Sequence, residues 1–72
     1  MNKVFYASPF ISNALIPQEA VSTYKRRDKA LLALKELGGI NAPNTEEVRK
    51  LRQTMLNARR KIEREGWGFV SA

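Results

Sequence analysis

The sequence predicts a mainly α fold, an antiparallel two-helix hairpin with an extended aromatic arm before it and a short tail, residues 66–72, after it. Three observations indicate this fold. An apolar stripe with helical spacing runs through residues 45–65. A second helix-forming segment, residues 18–37, is separated from it by the turn-forming linker GGINAPN at 38–44. Residues 1–17 are apolar but interrupted by prolines, which favours an extended arm.

The N-terminal arm opens MNKVFYASPF, and its aromatic residues are half of the six in the chain. Residues 3–7 carry side chains typical of strands, which predicts a short strand there. Pro9 and Pro17 confine that strand to a few residues. The rest of the arm is therefore expected to be extended but irregular.

The aromatic residues of the arm have two interpretations, which the sequence leaves open. They either close the hairpin as part of its core, or they form a docking arm that a partner buries, since buried aromatic side chains dominate interface energy. Under the second interpretation the arm is loosely packed without its partner. The partner-binding residues are then Lys3, Val4, Phe5, Tyr6 and Phe10.

The first helix is predicted to cover residues 18–37. Pro17 suits the start of a helix, and Glu19 in the first turn complements the helix dipole. Gly38–Gly39 can adopt the left-handed conformation that ends a helix. The C-terminal half is amphipathic, whereas the charged run KRRDK at 25–29 is expected to be solvated.

The linker at residues 38–44 combines Gly-Gly with Ala-Pro-Asn, which is turn chemistry. Its length is sufficient to reverse the chain between antiparallel helices, and Ile40 is expected to tuck beneath the turn. A DNA-binding helix-turn-helix motif has a turn of about three to four residues and a supporting third helix. The longer linker and the absence of a third helical pattern argue against that motif.

The second helix, residues 45–65, has the clearest pattern in the chain. Asn44 with Glu47 matches a capping box, and Thr45 is a competing N-cap. Gly66 after the last turn is expected to be the C-cap. The apolar stripe along the helix recurs every three or four residues and consists of Val48, Leu51, Met55, Ala58 and Ile62.

The two helices are expected to pack stripe to stripe, which leaves a thin core. In the tail, Trp67 and Phe69 fall on one face if the chain is extended. The aromatic ends of the chain, at 4–10 and 67–70, could therefore cover the open side of the hairpin. A minimal strand pairing of the two termini is compatible with this arrangement.

Composition excludes most catalytic chemistry. The 72 residues form a single small domain, 1–72, without cysteine or histidine, so the usual zinc ligands and general bases are absent. Glu46–Glu47 begins a helix and Glu63/Glu65 alternates with basic residues, so both carboxylate pairs are interpreted as structural. The sequence predicts no enzyme activity, no cofactor and no metal. It also contains no apolar run of the roughly 18 residues that a membrane span needs.

The net charge of +6 predicts a polyanionic or acidic partner. The second helix is basic over most of its polar side, and the arginine fork suits phosphates and carboxylates. The alternative is a solvated helix face stabilised by pairs such as Arg59–Glu63 and Lys61–Glu65. The predicted nucleic-acid or acidic-surface residues are Arg49, Lys50, Arg52, Arg59, Arg60, Lys61 and Arg64.

The stretch MNKVFYASPF and the basic helix at 45–65, on a chain of this size, resemble the small basic regulators that phages direct against host RNA polymerase, of the Xanthomonas phage antitermination type. The resemblance extends over the whole chain in size and character. It implies a non-enzymatic transcription regulator that binds host RNA polymerase, inhibits promoter use and promotes antitermination. It also implies the host bacterial cytoplasm as the location.

Two other functions are compatible with the sequence. One is a small basic nucleic-acid-binding or ribosome-associated helical-hairpin protein, in which the arm is only core. The other is a subunit of a helical assembly, with the stripe from Val48 to Ile62 pairing between chains. The expectation adopted is a monomer with bacterial RNA polymerase as its protein partner and RNA or DNA near the basic helix.

Overall fold

The computed structural model describes residues 2–11 and 13–71, the last two by their backbone alone, and it confirms the mainly α helical hairpin. Met1 and Ser12 of the predicted arm and Ala72 of the predicted tail lie outside the described residues. The elements in chain order are strand β1 Lys3–Tyr6, strand β2 Ala14–Pro17, a 3-10 turn Gln18–Ala20, helix α1 Val21–Glu36, a 3-10 turn Gly39–Asn41, helix α2 Glu46–Glu65 and strand β3 Val70–Ser71.

The arm is a β-hairpin rather than one extended segment. β1 pairs antiparallel with β2, in a register from Lys3 opposite Pro17 to Tyr6 opposite Ala14. Between the strands, the Ser8 hydroxyl accepts hydrogen bonds from the backbone N–H groups of Phe10 and Ile11. The predicted short strand is confirmed as β1, whereas β2 replaces the irregular segment that was predicted before Pro17.

The tail joins the same sheet, whose strand order is β1-β2-β3. β3 pairs antiparallel with β2, with Ala14 opposite Ser71 and Leu15 opposite Val70. The two ends of the chain therefore meet through β2, and among the residues that the structure describes β1 does not pair directly with β3.

Helix α1 begins later than predicted. Pro17 ends β2, and the Gln18 N–H donates to the Asn2 carbonyl 2.9 Å away, so this region continues the sheet and makes one 3-10 turn before the α-helix. At the other end, Gly38 and Gly39 both have positive φ, as the predicted helix stop requires. Ile40 does not tuck beneath the turn: it is 96% exposed.

Helix α2 is capped by Thr45, not by Asn44. The Thr45 hydroxyl oxygen Oγ1 accepts a hydrogen bond from the Val48 N–H at 3.2 Å, so the predicted Asn44–Glu47 capping box is wrong and the competing cap is the observed one. At the C-terminus, Gly66 adopts the left-handed conformation with φ of 69°, which confirms the predicted C-cap.

Loss of the Thr45 cap is expected to lower the free energy of unfolding by about 1 kcal/mol, because Thr45→Ala leaves an N–H of the first turn without its partner. Urea denaturation followed by circular dichroism measures this difference. Asn44→Ala is the matched control and should change stability little. A larger loss for Asn44→Ala than for Thr45→Ala would contradict the observed capping.

The core lies where the sheet meets both helices. Its buried cluster consists of Tyr6, Ile16, Ala20, Tyr24 and Ile62, with Val4, Ile11, Val21 and Trp67 packed against it. Along the predicted stripe of α2, Val48, Ala58 and Ile62 are buried, while Leu51 and Met55 are only half-buried. The buried members of the stripe therefore pack within one chain, and its pairing between chains stays a prediction.

Candidate functional site

A basic cleft lies between the two helices. It has a volume of about 420 Å³. From α2 it takes three of the seven predicted basic residues, Arg60, Lys61 and Arg64, and from α1 it takes Arg26. The remaining lining residues are Thr54, Asn57 and Ala58. The structure thus brings three of the predicted basic residues together near the C-terminal end of α2 and adds a residue from the opposing helix.

The cleft contains four cationic residues and no acidic one. Within residues 2–11 and 13–71, Arg26, Arg60 and Lys61 have no carboxylate within ion-pairing distance, and Arg64 has only an exposed contact of 3.7 Å with Glu65. Exposed pairs of this kind contribute little. The positive charge of the cleft is therefore largely available to a ligand.

An aromatic ring supports one of the cleft cations. The Lys61 ammonium lies 5.7 Å from the centroid of the Trp67 ring, within the range of a cation–π interaction. Because Trp67 packs against the core, it holds a stretch of tail beside the cleft. The predicted Lys61–Glu65 pair is not among the ion pairs of the described residues, where Glu65 instead contacts Arg64.

The other predicted basic residues are dispersed. Lys50 pairs with Glu46 at 3.3 Å and Arg59 pairs with Glu63 at 3.6 Å, both on the exposed surface. These two cations match the solvated-face alternative, with ordinary i,i+4 helix pairs. Arg49 is exposed and lies outside the cleft, and Arg52 lines a different concavity on the other side of the stripe.

A buried polar network is centred on Asp28. Asp28 is only 6% exposed, so the expectation that residues 25–29 are solvated is wrong for this side chain. Its carboxylate accepts a 2.5 Å hydrogen bond from the Tyr6 hydroxyl and two from the Arg27 guanidinium, each 3.2 Å long. A buried carboxylate needs such partners to offset its lost hydration.

Tyr24 connects this network to the tail. Its hydroxyl donates a 2.7 Å hydrogen bond to the Trp67 carbonyl, and its ring lies 5.5 Å from that of Tyr6. The Arg27 guanidinium carbon stands 4.7 Å from the centroid of the Tyr24 ring. Strand β1, helix α1 and the tail are therefore joined beside the cleft by one set of polar and aromatic contacts.

Burial raises the pKa of the Tyr6 hydroxyl far above its ordinary value, and the hydrogen bond to Asp28 raises it further. Burial also raises the pKa of the Tyr24 hydroxyl, against the opposing effect of the Arg27 charge. Both phenols are thus protonated hydrogen-bond donors at neutral pH, as the network requires.

Raising the pH above about 10 is expected to destabilise the fold through these two tyrosines. In the unfolded chain both phenols ionise near their ordinary pKa of 10.0, whereas both pKa values are higher in the folded chain. The unfolded state therefore loses its protons first, so the stabilisation is fully present below pH 10 and is lost as the pH rises toward the folded values.

Melting temperatures measured from about pH 7 to about pH 11 test this expectation. Tyr6→Phe removes one of the two groups and should make the alkaline decline shallower than in the unmodified chain. An alkaline decline of the same steepness in both proteins would show that Tyr6 does not contribute to it.

The predicted partner-binding residues of the arm divide into two groups. Tyr6 is 7% exposed and Val4 is half-buried against the core, so for these two the interpretation as a strand closing the hairpin describes the structure. Phe5 is 75% exposed and Phe10 is 41% exposed, and Lys3 is also exposed. Phe5 and Phe10 are therefore the aromatic residues of the arm that a partner can reach.

Sequence reasoning missed Arg26 and the buried position of Asp28. A signal for Asp28 was available, since it is the one acidic residue within KRRDK, but its partner Tyr6 is 22 residues away. In the part of the chain that the structure describes, no group of three acidic side chains comes together as a metal site, and no helix combines the length and apolarity needed to cross a membrane.

Comparison with known proteins assigns the chain to no family. No family model, curated protein or solved structure matches it. The charges and contacts of the chain itself therefore have to indicate its function, and the resemblance to phage regulators of RNA polymerase stays a prediction.

Proposed function

We propose that this chain is a non-enzymatic transcription regulator that docks on bacterial RNA polymerase and places its basic cleft against nucleic acid. The observation that carries the proposal is the cleft, where two helices bring four cations together without an acidic residue. Bound there, the chain would inhibit initiation, promote antitermination, or do both.

The chemistry of the cleft suits a phosphate backbone. Arg26 and Arg60 present planar guanidinium groups that can each bind two phosphate oxygens. Thr54 and Asn57 add neutral donors between the charges, and most protein contacts to nucleic-acid phosphates use these residue types. Among the described residues, no aromatic ring lines the cleft to stack on bases, and its charge favours the phosphate backbone, so contacts largely independent of sequence are expected.

The protein-docking half of the proposal is supported by exposed aromatic residues. Phe5 and Phe10 are exposed although the chain has little apolar surface to spare. Aromatic side chains are enriched at the centres of protein interfaces. A small domain with one surface that binds protein and another that binds phosphate can bridge a polymerase and its nucleic acid.

Transcription in vitro with purified Xanthomonas RNA polymerase tests the proposal. On a template with one promoter and one intrinsic terminator, adding the chain should reduce initiation, increase the fraction of transcripts that pass the terminator, or both. A cleft variant, Arg26→Gln with Arg60→Gln, should weaken the effect, and the matched control Arg49→Gln with Lys50→Gln should retain it. Transcription that is unchanged at saturating concentrations of the chain would refute the proposal.

A second candidate function is a small basic nucleic-acid-binding protein without a polymerase partner, and the cleft favours it as well. Its affinity for random RNA or DNA would be high by itself and would fall steeply with salt. The regulator, in contrast, should bind free nucleic acid weakly and should bind polymerase at salt concentrations that abolish binding to free nucleic acid. Fluorescence anisotropy over a salt series, with labelled RNA and then with polymerase, separates the two.

A further inference from the structure

A second concavity, apolar rather than basic, lies on the other flank of the helical hairpin. This apolar groove has a volume of about 560 Å³ and is formed by both helices, the linker and the arm. Phe10, Ile40, Met55 and Leu56 contribute apolar surface to it, and Lys35 and Arg52 are the charged residues among its lining. At 100° per residue, Arg52 and Leu56 fall on one side of the α2 stripe, whereas Thr54 and Lys61 of the basic cleft fall on the other.

Several large apolar side chains that line the groove are exposed to solvent and are not part of the core. Ile40 is almost wholly in solvent, Phe10 is 41% exposed and Leu56 is 37% exposed. They come from the linker, the arm and α2, so three separate parts of the chain bring apolar surface to one place. Exposed apolar residues gathered in a concavity mark an interaction site more often than scattered ones do.

The two cations of the groove lack partners. Among the described residues, neither Lys35 nor Arg52 has a carboxylate within ion-pairing distance. The positions three and four residues away from each of them, where a helix would place a pairing residue, hold no Asp or Glu. Lys50 and Arg59 on α2 both have such partners, so Lys35 and Arg52, like the cations of the basic cleft, differ from them in being available to a ligand.

We propose that the groove binds a short segment of a partner protein whose apolar side chains are flanked by Asp or Glu. The apolar residues would cover Phe10, Ile40 and Leu56, while the flanking carboxylates would pair with Lys35 and Arg52. Charge complementarity of this kind fixes the orientation of a bound segment and rejects partners of the wrong charge. The inference rests on the proposed function in that it names the surface through which the chain docks on another protein.

A second copy of this chain is a poorer occupant. A symmetric dimer through the groove would bring Lys35 and Arg52 of both copies into one interface, with no acidic residue of the groove to offset them. Each copy also carries a net charge of +6. Like charges facing each other oppose association.

Selection from a library of random short peptides displayed on phage tests the inference with the full chain as bait. Enriched peptides are expected to combine apolar residues with flanking Asp or Glu. A synthetic copy of one such peptide, titrated into the isotope-labelled chain, should shift the amide resonances around Ile40 and Leu56 and leave those around Arg60 unchanged. Arg52→Glu should weaken its binding by about tenfold or more, and the matched control Arg59→Glu should not.

A charge-reversed peptide supplies the sharpest control. Replacing its Asp and Glu by Lys should abolish binding to the unmodified chain and restore part of it in Arg52→Glu. The inference is overturned if the selection enriches no peptide, or if acidic peptides shift the amide resonances of the basic cleft and not those of the groove. It is also overturned if Arg52→Glu and Arg59→Glu bind the peptide equally well, or if gel filtration shows a dimer that Leu56→Glu dissociates.

The outcome also distinguishes failure of this inference from failure of the proposed function. Suppose that the unmodified chain alters transcription by polymerase and that Leu56→Glu and Arg52→Glu alter it to the same extent. The groove is then not the docking surface, and the regulator proposal stands. If acidic apolar peptides bind the groove and polymerase does not respond, the regulator proposal falls while the groove remains a peptide site.

Discussion

Replacing Arg26, Arg60 and Arg64 together by Gln is expected to lower the affinity of the chain for random single-stranded RNA by about a hundredfold at about 0.1 M salt. Each phosphate contact on a single strand contributes about 0.7 to the slope of log K against log salt, so three lost contacts should reduce the magnitude of the slope by about two. The three side chains line one cleft on two helices, so one strand of backbone can meet them together. Anisotropy titrations at several salt concentrations give both quantities.

The matched control replaces Arg49, Lys50 and Arg59 by Gln. It removes the same formal charge from exposed positions outside the cleft, where Lys50 and Arg59 already pair with glutamates. Screened by salt, these distant charges should have a much smaller effect on affinity. If both triple variants lost affinity and slope equally, net charge and not the cleft would determine binding.

The sequence could not predict which of the basic residues on α2 are available to a ligand. The basic character of α2 is visible in the residue pattern, but which cations stay free depends on their neighbours. Arg59 has a glutamate one turn away, and Arg60 has none within ion-pairing distance among the described residues. Arg26 reaches the cleft only because α1 packs against this end of α2, and nothing local to KRRDK indicates that pairing.

In the fold, too, the features set by neighbouring residues could be predicted, and those set by residues far apart in the sequence could not. The stripe, the Gly66 cap and the turn at Gly38 follow from spacing and backbone preference within a few residues, and they were predicted. β2 was missed because ALIP is too short to indicate a strand alone. It becomes a strand by pairing with β1 on one edge and with the tail, more than 50 residues away, on the other.

Ile16→Ala is expected to unfold most of the protein at room temperature. Ile16 is fully buried in the middle of β2, where it packs into the cluster with Tyr6, Tyr24 and Ile62. Removing its side chain leaves a cavity that costs about 2–5 kcal/mol. A domain of this length has a total stability of only about 3–5 kcal/mol, so the loss is comparable to the whole. Thermal melting followed by circular dichroism and by Trp67 fluorescence measures it.

Leu15→Ala in the same strand is the matched control, because it deletes a side chain of equal size at a half-buried position on the alternate face. Its loss of apolar contact is smaller, and the surrounding solvent fills the space, so a shift well below that of Ile16→Ala is expected. The comparison separates two accounts of the chain. If the helical hairpin alone held the fold, both variants would melt like the unmodified protein and Leu51→Ala would be the severe one. If the buried cluster around Ile16 stabilises the fold instead, Ile16→Ala is the severe change, and truncation of the half-buried Leu51 costs less.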